Sequence, residues 1–173
     1  MRDTTPSCPE RDFPAAALKM APQKVLPEWI DYNGHMNVAY YTLAFDKAFD
    51  DFLENWVGMG VSYVERSRFG PMALQMQTCY LGELMEGETF QVEVYLIDHD
   101  DKRMHFFGRM ISAKTGGVAA TYESLGMNVD LDARKAAPYP DWAIARLQRL
   151  ADAQAGLERP KEVGQSIGIR RKM

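Results

Sequence analysis

Four polar side chains and a glycine stand within the seven residues from 31 to 37, and they could carry out chemistry on a carbonyl group. They are Asp31, Asn33, Gly34, His35 and Asn37. A carboxylate such as that of Asp31 can act on a carbonyl as a base or as a nucleophile. Gly34 would let the carbonyl approach the backbone closely, and unpaired N–H groups at a helix start would stabilise an oxygen that gains negative charge.

Each residue of this run also has a structural interpretation. Asp and Asn before a helix are most often caps, and a glycine in a connection is most often a turn. A lone histidine is usually solvated or part of a core. The density of polar groups favours a functional site, but the residue types alone name no reaction.

A long helix must follow this run and position it. The segment 38–56 places apolar side chains at steps of three or four, which predicts an amphipathic helix of about five turns. Asn37 or a neighbour can cap its start, and Gly58 and Gly60 lie just past its end. The first turn of such a helix presents unpaired backbone N–H groups and the positive end of the helix dipole.

Beyond the helix the hydrophobic period changes from 3.6 to two, which predicts half-buried strands. In the segment 72–80 the predicted inward side chains are Met72, Leu74, Met76 and Tyr80. In the segment 90–96 they are Phe90, Val92, Val94 and Leu96.

Four further elements complete the predicted order. Strands are predicted at 103–113 and 118–131, with short turns that join antiparallel hairpins. An opening strand is predicted at 23–30 and a closing helix at 141–155. The sequence therefore predicts an α+β fold in which a mostly antiparallel sheet wraps around one long central helix.

The chain has 173 residues, enough for one domain with its own core. Prolines among small and charged residues predict a flexible N-terminal arm over 1–20, and a basic C-terminal tail is predicted over 157–173, which leaves 21–156 as the domain. One helix covers a sheet only partly. We therefore expect a homodimer, with a homotetramer as a further step.

The composition excludes several function classes. A net charge of −4 with 46% hydrophobic residues argues against a disordered chain and against a nucleic-acid binder. No apolar run is long enough for a membrane span and no signal peptide is evident, so we expect a cytoplasmic protein without a membrane partner. Cys8 and Cys79 are expected to be free thiols, and the three histidines lack metal-ligand spacing, so no metal site is predicted.

From about residue 23 to 139 the sequence resembles the hotdog-fold acyl-CoA thioesterases of the 4-hydroxybenzoyl-CoA thioesterase type. The resemblance rests on Asp31, Gly34 and Tyr41, which fall at that family's acidic, glycine and aromatic positions, and on the passage 80–90. It implies a hotdog fold and hydrolysis of an acyl-CoA to free acid and CoA, with no cofactor apart from the CoA of the substrate. Asp31 would attack the carbonyl or activate a water, and backbone N–H groups from Gly34 to Asn37 would hold the oxyanion.

The run departs from the common bacterial pattern, which has apolar and aromatic residues at positions 35 and 37. Asp31, Asn33 and His35 instead resemble the Asp-x-Asn-x-His run of plant-type acyl-carrier-protein thioesterases. The role of His35 stays open between a general base, an orienting residue and a cap. Glu65 could be a further carboxylate of the kind those enzymes use, although its basic neighbours favour an ion pair.

The runs 29–37, 101–107 and 129–135 resemble the thioesterases found with, or fused to, carnitine dehydrogenases, which hydrolyse betainyl-CoA. Aromatic rings would hold the trimethylammonium group, although such rings also pack cores. The candidates are Trp29, Tyr32, Tyr40 and Tyr63. Local basic groups would hold the CoA phosphates. The candidates are Arg66, Arg68, Lys102, Arg103 and Lys114.

Two alternatives remain open. A hotdog enoyl-CoA hydratase or dehydratase places its Asp and His five apart around a proline, whereas Asp31 and His35 are four apart and Gly34 replaces the proline. A non-catalytic acyl-CoA binding protein would keep the fold and would not need the Asp31 carboxylate. Release of free thiol from an acyl-CoA distinguishes hydrolysis from both.

Overall fold

A computed structural model describes residues 2–169, and in it one long helix lies against a seven-stranded antiparallel sheet. The strands are β1 (Leu18–Lys19), β2 (Gln23–Lys24), β3 (Phe69–Tyr80), β4 (Thr89–His99), β5 (Arg103–Ser112), β6 (Val118–Asp130) and β7 (Lys135–Ala136). The helices are α1 (Val38–Phe52), α2 (Val61–Ser67) and α3 (Asp141–Gln154). The strand order is β1-β4-β5-β6-β3, with β2 beside β4 and β7 beside β6. The predicted α+β architecture is confirmed.

The central helix begins and ends as its sequence predicts. The side-chain oxygen of Asn37 accepts from Ala39 N at 3.0 Å and caps the first turn. After Phe52 a π-helical turn, Leu53–Val57, continues the helix. Gly58 follows with φ +89°, a left-handed conformation that glycine adopts without strain and that ends the helix.

Aromatic rings hold α1 on the middle of the sheet. Phe45 stacks on Tyr122 of β6 with ring centroids 5.1 Å apart, and Phe49 stacks on Phe106 of β5 at 4.8 Å. Gly108 of β5 lies under these rings, and an added Cβ would come within 3.1 Å of Phe45. The close packing of ring on strand backbone fixes where the N-terminus of α1 lies.

The predicted opening strand at 23–30 is wrong. Only Gln23–Lys24 pair with β4, and Pro27–Trp29 form a 3-10 turn instead. Pro27 has no N–H and a fixed φ, so the chain turns there rather than extending along the sheet. The short helix α2 was not predicted, whereas the strands predicted at 103–113 and 118–131 are correct to within one residue.

The predicted alternation of β3 is also wrong in part. A β-bulge at residues 73–75 shifts the register of β3 against β6. Met76 and Tyr80 pair with β6 residues on the face that α1 covers, but Met72 lies before the bulge on the opposite face. One extra residue in a strand reverses which face the following side chains take. β3 is an edge strand, and Leu74, Met76 and Tyr80 are each about half exposed.

The first 20 residues pack on the domain, which differs from the predicted flexible arm. β1 pairs with β4, and the Thr4 carbonyl accepts from Trp142 Nε1 at 2.7 Å. Cys8 is buried beside the buried Arg146, whose Nη1 donates to the carbonyls of Cys8 and Val57. Cys8 and Cys79 are both free, as predicted.

The C-terminal segment 157–166 crosses the outer face of the sheet, the face turned away from α1. Glu162 forms an ion pair with Arg109 at 2.9 Å, and the carboxylate of Glu123 accepts from Gly164 N at 2.8 Å. Phe107, on the same face, is only 1% exposed. Arg170, Arg171 and Lys172 of the predicted basic tail lie outside the described residues. Within 2–169, no helix is long and apolar enough to cross a bilayer.

Candidate active site

The polar run folds into a tight turn directly before α1. Ile30 and Met36 form an isolated antiparallel bridge that closes it. Inside the bridge, Gly34 N donates to the carbonyl of Asp31 at 3.0 Å, and Asp31 N donates to the carbonyl of His35 at 3.1 Å. Gly34 has φ +82°, and an added Cβ would meet no atom within 4 Å. A glycine is therefore required here by the backbone conformation, and its place leaves open space for a ligand.

The connection between β3 and β4 anchors this turn from one side. The fully buried Met36 donates its N–H to the carbonyl of Leu84 at 2.8 Å. Leu84 is itself held by α1, because its N–H donates to the hydroxyl of Tyr41 at 3.2 Å. That hydroxyl donates to the carbonyl of Gly82 at 3.2 Å. Burial raises the pKa of Tyr41, so its hydroxyl remains a proton donor.

The carboxylate of Asp31 is half-buried and is held at both oxygens. Oδ1 accepts from the backbone N–H of Asn33 at 2.8 Å. Oδ2 accepts from the side-chain Nδ2 of Asn37 at 3.3 Å. The lone pairs that remain can face a substrate carbonyl or a water. The turn thus fixes a carboxylate beside the first turn of α1, where the sequence predicts it.

Three backbone N–H groups close to Asp31 in the chain have no partner among residues 2–169, those of Tyr32, His35 and Val38. The N–H groups of Gly34, Met36 and Asn37 are instead bound within the turn and to its anchors, so they are not free for an oxyanion as expected. Val38 was not singled out from the sequence. The signal was present, because a cap at position 37 makes residue 38 the first helical residue, with an unpaired N–H.

His35 is partly buried, and its Nδ1 lies 3.1 Å from the Met36 carbonyl. Since a carbonyl only accepts, this contact requires a proton on Nδ1. No hydrogen bond among the described residues joins its ring to Asp31. The ring is therefore held by the backbone of the turn and forms no direct carboxylate–imidazole pair in the part of the chain that the structure describes.

The structure does not bring the four predicted aromatic residues together. Trp29 is 5% exposed and stacks on Tyr40 at 5.4 Å, with Lys47 Nζ 5.5 Å from the centroid of its ring. Tyr32 is 96% exposed. Tyr63 is buried in α2, which follows the C-terminal end of α1. Trp29 and Tyr40 take their positions from packing, because the two rings stack on each other and belong to the core beside α1.

Tyr80 is the aromatic residue that the sequence did not assign to the site. Its hydroxyl lies 3.5 Å from the carbonyl of Val38, and its ring meets Tyr41 edge-on at 5.3 Å. It is half exposed at the edge of the sheet. Its exposed ring therefore borders the same helix start as Asp31, and only the pairing of β3 with β6 could reveal this.

The remaining candidates, except Lys114, lie at the other end of α1. Lys114 lies in the turn between β5 and β6, at the end of the sheet where β4 starts and the Asp31 turn is anchored. α2 follows the C-terminal end of α1, which spans about 22 Å, so Tyr63 and the exposed Glu65 are remote from Asp31 in this chain. The β4–β5 turn lies at that end too, because the Lys102 carbonyl accepts from Asn128 N near the start of β3. Four of the five basic candidates are in ion pairs: Arg66 with Asp3, Arg68 with Asp132, Arg103 with Asp100, and Lys114 with Glu88.

Within residues 2–169, no three His, Cys, Asp or Glu side chains are grouped so that they could hold a metal ion. The arrangement can nevertheless perform acyl chemistry. It has a positioned carboxylate, a free N–H donor at the helix N-terminus (Val38), a second one in the preceding turn (His35) and an open approach over Gly34.

Comparison with known proteins gives a consistent result. The chain is 34% identical to the betainyl-CoA thioesterase of Pseudomonas aeruginosa over 145 residues, which cover 84% of this chain and 91% of that protein. It is 33% identical to the L-carnitine dehydrogenase/betainyl-CoA thioesterase of Rhizobium meliloti over 89% of this chain, but it spans only 31% of that longer protein.

Solved structures agree with the sequence relatives. A Staphylococcus aureus protein in complex with CoA superposes with a TM-score of 0.83 at 26% identity, covering 93% of this chain and all of that chain. A putative thioesterase from Pseudomonas putida superposes with a TM-score of 0.76 at 28% identity, covering 90% of this chain and 98% of that one. Residues 25–147, which include the whole Asp31 turn, match the thioesterase-like superfamily. This chain therefore belongs to the thioesterase-like superfamily and has its hotdog fold.

Proposed function

We propose that the protein hydrolyses an acyl-CoA thioester to the free acid and CoA, with betainyl-CoA as its substrate. The observation that carries the proposal is the Asp31 carboxylate, held at both oxygens beside the unpaired N–H groups of His35 and Val38. Membership of the thioesterase-like superfamily and the CoA bound by a structural relative support it.

The geometry supports attack on a thioester carbonyl lying over Gly34. Asp31 takes a proton from a water that adds to the carbonyl carbon, or its oxygen adds directly and water then releases the acid. In either route the carbonyl oxygen gains negative charge close to the N–H groups of His35 and Val38. The tetrahedral species then breaks its C–S bond, and the departing CoA sulfur takes up a proton.

The acyl group is inferred from relatives and from the rings near the turn. The similarity to the betainyl-CoA thioesterase of Pseudomonas aeruginosa covers nearly the whole of both chains. A trimethylammonium group is attracted to aromatic faces by about 0.5 to 2 kcal/mol for each ring. Tyr32 within the turn and Tyr80 beside the start of α1 offer exposed rings, whereas the ring of Trp29 is buried.

Thiol release measured across a panel of betainyl-CoA, short straight-chain acyl-CoAs and aromatic acyl-CoAs tests the reaction and the substrate together. We expect betainyl-CoA to give the highest kcat/KM. Asp31→Asn should lower the rate by about two or more orders of magnitude, because the amide cannot accept a proton or attack. Asp46→Asn, which alters an exposed carboxylate on α1, is the matched control.

Three results would contradict the proposal. Unchanged turnover in Asp31→Asn would remove the carboxylate from the mechanism. Loss of enoyl absorbance without thiol release would identify a hydratase, and CoA ester binding without any turnover would identify a binding protein.

We further propose that the active protein is a homodimer that pairs through β3. β3 is a 12-residue edge strand whose outer edge has no partner among the described strands. Leu74, Met76 and Tyr80 expose apolar surface along it, and an exposed apolar edge strand is a template for pairing with another chain. The segment 157–166 already covers the outer face, so the β3 edge is the surface that remains for a second copy.

Sedimentation of the wild type and of Leu74→Asp tests this pairing. The wild type should sediment at twice the chain mass of 19.6 kDa, and Leu74→Asp should shift the population to monomers. A wild type that is monomeric at micromolar concentration would refute the dimer. The hydrolysis proposal would be unaffected if the monomer still released thiol.

A further inference from the structure

The side chain of Asn37 makes two hydrogen bonds in opposite directions, and only one of them belongs to helix capping. Its Oδ1 accepts from Ala39 N at 3.0 Å, which closes the first turn of α1. Its Nδ2 donates to Asp31 Oδ2 at 3.3 Å, six residues back along the chain. One amide group therefore ties the helix start and the carboxylate together.

We propose that Asn37 is a positioning residue that holds the Asp31 carboxylate in its reactive orientation, in addition to capping α1. The inference rests on the proposed hydrolase function and assigns a side-chain role within that site. Capping alone does not require Asn, because Ser, Thr and Asp cap helices about as well. Of these residues, only Asn carries an N–H₂ group on the same short side chain that supplies the capping oxygen.

The Asp31 carboxylate needs this second bond to keep its plane fixed. The backbone N–H of Asn33 holds Oδ1 at 2.8 Å, but a carboxylate held at one oxygen can still rotate about the bond that carries it. The Asn37 bond at Oδ2 removes that freedom. It also fixes the position of the carboxylate relative to α1. The first N–H of α1, that of Val38, faces the developing oxyanion in the proposed mechanism.

Three substitutions at position 37 separate capping from positioning. Asn37→Ser and Asn37→Asp keep a capping oxygen but cannot supply the amide N–H₂ group to Asp31, whereas Asn37→Ala loses both contacts. We expect Ser and Asp to change Tm by less than about 2 °C and Ala to lower it by about 2–4 °C. For Ser and Asp, kcat should fall about 10- to 100-fold, as a poorly held reactive group predicts.

The same variants should leave KM within about threefold of the wild type, because Asn37 is proposed to act on Asp31 rather than to bind substrate. Asn37→Asp also introduces a second negative charge beside Asp31, so the neutral Asn37→Ser variant is needed to show that the missing donor lowers kcat. We expect kcat to fall by a similar factor in both variants.

A matched control lies at the C-terminal end of α1 and in the π-helical turn that follows it. The side chain of Asn55 donates to Asp51 Oδ1 at 2.7 Å in an exposed amide–carboxylate pair remote from the turn. Asn55→Asp removes an equivalent bond and should keep the wild-type kcat and KM. If the loss of any amide donor lowered kcat, kcat would fall in both Asn37→Asp and Asn55→Asp. If the effect is specific to the Asp31 contact, kcat falls only in Asn37→Asp.

The outcomes distinguish this inference from the function on which it rests. If the wild type releases thiol and Asp31→Asn does not, but Asn37→Ser and Asn37→Asp retain wild-type kcat, then Asn37 is only a cap and the inference is overturned. If kcat falls in step with Tm across Ser, Asp and Ala, the effect is structural and the inference is again overturned. If the wild type hydrolyses no acyl-CoA in the panel, the proposed function fails, and this role fails with it.

Discussion

Replacing Tyr41 by Phe should destabilise the protein through the connection that holds the Asp31 turn. The Tyr41 hydroxyl donates to the Gly82 carbonyl and accepts from Leu84 N, both at 3.2 Å, and the Leu84 bond is buried whereas the Gly82 bond is partly buried. The ring itself, which α1 carries, is buried and stays in place in the variant. The substitution therefore removes two hydrogen bonds and almost no apolar contact.

The expected cost follows from what the missing oxygen leaves behind. The Leu84 N–H becomes a buried donor without a partner, and such a group costs about 1–3 kcal/mol, so we expect about 2 kcal/mol in total. With a urea m-value of about 2 kcal/mol/M, the unfolding midpoint should move down by about 1 M. Activity should fall as well, because the Leu84 carbonyl holds Met36 N in the turn.

Urea unfolding at one fixed protein concentration measures this change, since association would otherwise contribute to the midpoint. Tyr32→Phe is the control, because the Tyr32 side chain is almost fully exposed and should shift the midpoint by less than about 0.25 M. The reasoning is refuted if Tyr41→Phe unfolds at the same urea concentration as Tyr32→Phe. A loss well above 4 kcal/mol would mean that the ring had moved.

Three further predictions concern the rest of the fold. Gly108→Ala should cost about 1–3 kcal/mol in urea unfolding, because its Cβ would lie 3.1 Å from the fully buried Phe45, and a neutral effect would show that α1 can shift. The hydrogen bond from Arg103 holds the pKa of Asp100 at about 2, so its contribution to stability is present above about pH 4 and is lost as pH falls towards 2. Asp100→Asn should flatten the dependence of Tm on pH in that window at low salt, and an unchanged slope would contradict this. Deletion of residues 157–173 should expose Phe107, which should lower the free energy of unfolding by about 1.5–3 kcal/mol and increase the binding of a hydrophobic dye. An unchanged free energy of unfolding would mean that the segment does not cover Phe107.

The parts of the fold that depend on neighbouring residues could be predicted from the sequence. The periodicity of α1 and its cap at Asn37 are local signals, and the turns joining β4 to β6 are short. The bulge in β3 was missed because it depends on how that strand meets a distant partner. The 3-10 turn at Pro27 has a local cause, the proline itself, which the predicted opening strand did not take into account. An alternating pattern specifies two faces, but it does not show where an extra residue exchanges them.

The candidate site divides in the same way. Asp31, Gly34 and His35 were predicted together and lie together, since they stand within five residues of chain. Residues assigned by chemical type alone, such as Arg68 for phosphate or Tyr63 for a cation, lie at the far end of α1 because side-chain type carries no information on position. Tyr80 shows the converse, since it borders the turn only through the pairing of β3 with β6.

The exposed edge of β3 links the fold to the proposed reaction. Met76 and Tyr80 keep the pattern of a buried strand, yet α1 leaves both half exposed in one chain. A strand that retains such a pattern without cover within its own chain is explained most simply by cover from a second copy. Tyr80 also contacts the helix start that carries Asp31, so the surface proposed for pairing reaches the proposed catalytic turn. Leu74→Asp should therefore lower thiol release along with dimer content, whereas a fully active Leu74→Asp monomer would separate catalysis from assembly.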